Sequence, residues 1–87
     1  MREAPIQKKV KDNLTLQGWL VVKCIQMSLN GWPDLQAHKN GRTIFVECKR
    51  PGKEPDELQL YRHGQLHKAG FDVYIINDMT TAKNFKP

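Results

Sequence analysis

Two residues, Asn40-Gly41, restrict what this chain can fold into more than any others do. They lie between two runs that read as strands, LQAHK and RTIFVECK. A two-residue hairpin loop needs left-handed backbone at both positions, which Asn and Gly accept at little steric cost. The turn makes Lys39 and Arg42 partners, and every pair further out follows from that one. Extended outward, the ladder sets Asp34 opposite Glu47. Directly opposed residues share a face, with Cβ atoms about 4.5–5.5 Å apart. Lys49, two residues past Glu47, falls on the same face by the period of two. The turn therefore predicts Asp34, Glu47 and Lys49 together.

That grouping has chemical consequences. Ile44-Phe45-Val46 is apolar at consecutive positions, as in a strand covered on both faces. Charges ending such a strand need a reason. Two adjacent carboxylates repel unless one takes a proton or a hard divalent cation lies between them. A lysine beside that site can hold an attacking water or offset charge growing on a phosphate. The plainer alternative makes Glu47 and Lys49 an exposed edge pair and Asp34 a turn residue. Glu3 heads the stripe Ile6, Val10, Leu14 of a first helix and so points toward the sheet, or it simply complements the helix dipole. Gln59 lies beside the apolar side of a second helix, for which Leu58, Tyr61 and Ala69 are expected. His63 and His67 are four apart with no third ligand in view, and read as surface histidines.

The remaining chain frames these residues. Helical spacing predicts a helix over 3–17, ended by Gly18, and WLVVKCIQM (19–27) reads as a strand. Pro55 opens a second helix that runs to about Ala69, with Asp56 and Glu57 in its first turn. FDVYII (71–76) is a further strand, and 78–85 a short terminal helix capped by Asp78. The order α-β-β-β-α-β describes an α/β protein, a mixed sheet flanked by helices. With 87 residues, the chain is expected to form one domain, 1–87. A net charge of +5 suits an anionic partner. Lys8, Lys9, Lys11, Arg50, Lys53, Arg62 and Lys68 are the basic side chains expected to hold phosphates. No secretory h-region and no 18-residue apolar run appear, so a soluble protein of the cytoplasm, with no membrane partner, is expected. Cys24 and Cys48 lack a CxxC spacing and read as free thiols rather than as zinc ligands with His38.

Asp34, twelve residues, then Glu47-Cys48-Lys49 resembles the D-(X)n-(D/E)-X-K signature of the PD-(D/E)XK nucleases, and Pro33-Asp34 supplies the literal PD. The surroundings are similar to one branch, the VRR-NUC domains. They share a glutamate-headed first helix, GWPDL, VECKRPG, LQ in the next helix and AGFDVYII, from about residue 2 to 78. The resemblance implies a restriction-endonuclease-like core. It implies Mg²⁺ or Mn²⁺ held by Asp34, Glu47 and the backbone carbonyl of Cys48, with Glu3 assisting. Lys49 would position the water, and Gln59 would lie near the site. Cys48 departs from the small or β-branched residue usual there and is expected to face away from the acids. The function implied is a structure-selective DNA endonuclease acting on branched DNA, as Holliday-junction resolvases do in DNA repair. Stand-alone members in bacterial or phage-infected cells also point to a homodimer. Trp19, Trp32 and Phe85 are candidates for its apolar patch, or for core. A non-catalytic nucleic-acid-binding module on the same fold is the alternative.

Overall fold

The Asn-Gly turn forms as its chemistry requires. In the computed structural model, which describes residues 3–87 with side chains from Ala4 onward, Asn40 and Gly41 adopt φ of 50° and 78°. They join β2 (Leu35–Lys39) to β3 (Arg42–Cys48). The antiparallel register runs from Lys39↔Arg42 to Leu35↔Val46. It stops there. Asp34 does not form the next rung, because Gly31 at φ 81° and the fixed φ of Pro33 turn the chain away. The Asp34 carboxylate instead accepts the Cys48 backbone N–H at 2.8 Å.

Before the hairpin come α1 (Glu3–Leu16) and β1 (Leu20–Lys23); after it come α2 (Glu57–Lys68), β4 (Asp72–Ile76) and α3 (Met79–Asn84). The sheet order is β1-β2-β3-β4. β1, β2 and β3 pair antiparallel, and β4 lies parallel to β3. A parallel pair needs a crossover, and α2 supplies it. The strand expected over 19–27 is much shorter. Its ladder with β2 ends at a bond from Cys24 N–H to the Asp34 carbonyl of 2.8 Å, and residues beyond lose their partner strand with that bend.

Side chains alternate along β3. Ile44, Val46 and Cys48 are buried with Ile6, Val10 and Leu14 of α1, joined by Leu35, Ala37, Ile76 and Ala82. Cys48 thus faces away from the acids, as its position predicts. Asn13 of α1 and Gln17 just after it donate to carbonyls of Ala82 and Phe85, which ties α3 to the same face. On the other face, Phe45 meets Trp32 and Phe71 edge-on, each at 5.5 Å. Trp19 joins the core, and Phe85 packs on Tyr74 at 5.0 Å. All three aromatics named for a dimer patch are therefore engaged within the chain.

α2 sits differently from its apolar pattern. Asp56 is the N-cap, in a capping box with Gln59, so Pro55 precedes the cap rather than opening the helix. The buried side chains are His63 and Leu66, while Leu58 and Tyr61 are exposed and Ala69 is the exposed C-cap. The expected apolar side is thus corrected: Gln59, His63 and Leu66 turn toward the sheet. Glu47 lies beneath them, and a buried carboxylate needs donors more than it needs leucines.

Candidate active site

Glu47 is 1% exposed at the end of the central strand. Its neighbours come from α2, one turn apart. Gln59 Nε2 donates to Glu47 Oε2 at 3.3 Å, and His63 Nε2 meets Glu47 Oε1 at 3.2 Å. The capping box fixes Gln59: its Oε1 accepts the Asp56 N–H at 3.0 Å while its own N–H reaches Asp56 Oδ1 at 2.9 Å. One side chain therefore both starts α2 and reaches Glu47. Burial pushes His63 below the usual histidine value; the charge of Asp34 opposes this and that of Lys49 reinforces it. His63 was expected at the surface. Its spacing of four from Gln59 is the signal that places both on one helical face.

Asp34 reaches the same point from the other strand. The bond to Cys48 N–H uses Oδ2, and Oδ1 has no hydrogen bond among the described residues. Lys49 follows β3, held by its own N–H to the Ile76 carbonyl at 2.9 Å. His63 and Gln59 bond Glu47, and the charges of Asp34 and Lys49 both reach His63. The side chain of Glu3 lies outside the described residues. Of the basic candidates, Arg50 and Lys53 line a depression of about 310 Å³ with Lys49 and Glu54. Lys8 and Lys11 line another, of about 300 Å³, with Lys23, Ala4 and Gln7. Lys9 is exposed on α1. Lys8 is partly neutralised by Asp12 at 2.6 Å. Lys68 closes α2, which runs back along β3, and so lies toward the far end from Glu47. The Arg62 Nε–H holds the Asn30 carbonyl at 2.9 Å.

The donors present are hard oxygens. Among the described residues no group of three or more His, Cys, Asp or Glu side chains converges to enclose a metal. Two carboxylates suit an ion such as Mg²⁺, which keeps several waters and needs only one or two protein carboxylates. They do not suit a closed zinc site.

No protein-family model matches the chain. It is 36% identical over 78 residues, 88% of its own length and 84% of the relative's, to "Putative nuclease p44" of Acyrthosiphon pisum secondary endosymbiont phage 1. A solved VRR_NUC domain has the same fold, with a TM-score of 0.83 at 30% identity over 94% of this chain and 90% of that one. A mixed four-stranded sheet with this site at the end of its central strand supports a nuclease. The chain belongs to the VRR-NUC domain family. Among the described residues no helix is long and apolar enough to cross a membrane.

Proposed function

We propose that the protein is a divalent-metal-dependent endonuclease that hydrolyses phosphodiester bonds of branched DNA. The observation that carries this reading is the Cys48 N–H bond to Asp34 Oδ2, which ties the Asp34 carboxylate to the backbone one residue past Glu47. Asp34, Glu47 and the Cys48 carbonyl would hold Mg²⁺ or Mn²⁺, with Glu3 assisting from α1. The chemistry such an ion supplies when bound is polarisation of the phosphate and acidification of water. Lys49 Nζ would donate a hydrogen bond to the attacking water and orient it in line with the scissile bond. His63 and Gln59 would keep the Glu47 oxygens in place, as outer partners of metal-ligating carboxylates do. Arg50 and Lys53 on one side, and Lys8, Lys9 and Lys11 on the other, would neutralise phosphates without reading bases. Selectivity would then be for shape, as in a Holliday-junction resolvase. Symmetric cutting of a four-way junction takes two sites on opposite strands, which a two-fold homodimer supplies. Light scattering checks that mass.

The test is incision of a panel of branched and linear DNAs with Mg²⁺, with Mn²⁺ and with EDTA. Metal-dependent nicks, made preferentially in branched DNA and abolished by EDTA, are expected. Melting temperature should also rise with Mg²⁺, since a ligand that binds only the native state stabilises it. Cleavage that survives EDTA would refute the metal-dependent reading.

A further inference from the structure

Between β1 and Pro33 the chain runs through CIQMSLNGW, where Ile25, Met27 and Leu29 point three large apolar side chains into solvent. Ile25 is 80% exposed. This segment is not a loose loop. Its first residue is bonded to the Asp34 carbonyl, and its Asn30 carbonyl is held by Arg62. Gly31 presses on α2 so closely that a Cβ there would meet the Leu58 carbonyl oxygen at 2.9 Å. Ile25, Met27, Leu29 and Trp32 are among the residues that wall a depression of about 410 Å³, with Cys24 at one side. The charge of Asp34 is felt at the Cys24 thiol, so one wall lies against the site. Burial raises that thiol, and the Trp32 indole opposes it; the buried Trp32 Nε1 makes no hydrogen bond of good geometry. Beside Asn30, Arg62 stacks over the exposed ring of Tyr61 at 5.6 Å. Apolar side chains, an aromatic face and a stacked guanidinium on a rigid support are what unstacked bases bind.

Resting on the nuclease reading, we infer that the 24–32 segment receives an unpaired nucleobase next to the scissile phosphate and thereby distinguishes branched from fully paired DNA. A paired duplex offers phosphates to Lys49, Arg50 and Lys53 but no free base to this depression. Phosphate contacts give affinity, and the apolar segment adds selection.

The experiment compares the wild type with Ile25→Ser/Leu29→Ser, both positions exposed so that folding is not at stake. Binding is measured in Ca²⁺ at several salt concentrations, on a flapped DNA and on a paired duplex of equal length, and incision is measured in Mg²⁺. Affinity of the variant for flapped DNA should fall about tenfold, as for the loss of apolar contacts to an unstacked base. Duplex affinity should stay within twofold, and the salt slope should not change, since no phosphate contact is lost. An equal loss on both DNAs, no loss on either, or a change of mass in solution would overturn the inference. The last outcome would assign the segment to a contact between copies. If the wild type incises and the variant keeps its selectivity, this inference fails alone. If the wild type cuts no DNA in any metal, the nuclease reading fails with it.

Discussion

The two faces of β3 belong to one strand and obey different demands. Ile44, Val46 and Cys48 pack with Ile6, Val10 and Leu14 of α1 in one apolar cluster. Phe45 and Glu47 meet Trp32, Phe71 and α2, and the helix sets a histidine and a glutamine over the carboxylate. The first face needs only volume and pattern. The second needs specific donors at specific atoms, and α2 leaves Leu58 and Tyr61 in water to provide them. Polar satisfaction overrode apolar pattern, because an unpaired buried carboxylate costs more than two exposed hydrophobic side chains.

The comparison can be broken by exchanging which property each face loses. Glu47→Gln, Asp34→Asn and Lys49→Ala should each lower incision on the order of a thousandfold. Circular dichroism should show the fold retained, and Asp34→Asn keeps an oxygen for the Cys48 N–H. Near-wild-type nicking by any of the three, at matched metal and salt, would remove that residue from the site. On the opposite face, Ile44→Ala should cost about 2–5 kcal/mol of stability in denaturant unfolding. Its incision rate, measured well below the melting temperature, should stay close to wild type. A large loss of rate with the fold intact would mean the two faces are not separable.

His63→Ala tests the polar face without touching a proposed ligand. The Mg²⁺ concentration giving half-maximal incision should rise about 10–100-fold, with His63→Gln recovering part because it retains a donor. An unchanged metal dependence would make His63 a packing residue only. The smallest effect is expected from Lys53→Gln in the basic depression. The slope of log affinity against log salt should lessen by about 0.9, with incision at saturating DNA unchanged. A loss of rate at saturation would move Lys53 into the chemistry.

Local chemistry made much of this legible. Asn40-Gly41 determined the hairpin and its register to Leu35↔Val46. The period of two then set Cys48 into the core and Glu47 onto the opposite face. Helical spacing likewise marked Ile6, Val10 and Leu14 as buried. Asp34 does reach the end of β3, although by a side-chain bond to the Cys48 N–H rather than by a ladder rung. The ladder could not be extended through Gly31-Trp32-Pro33, since a bend there depends on what the loop packs against, and Gly31 packs against Leu58 of α2.

What the sequence by itself determined, then, is what neighbours in the chain govern: turn type, register to Leu35↔Val46, strand alternation and the cap at Asp78. Only the tertiary structure decided the rotation of α2, and with it the burial of His63 and the exposure of Tyr61. A helix with apolar residues on more than one side can dock in several rotations of similar hydrophobic gain. Here the donors that Glu47 requires select one, and that requirement exists only once β3 has carried the carboxylate beneath the helix.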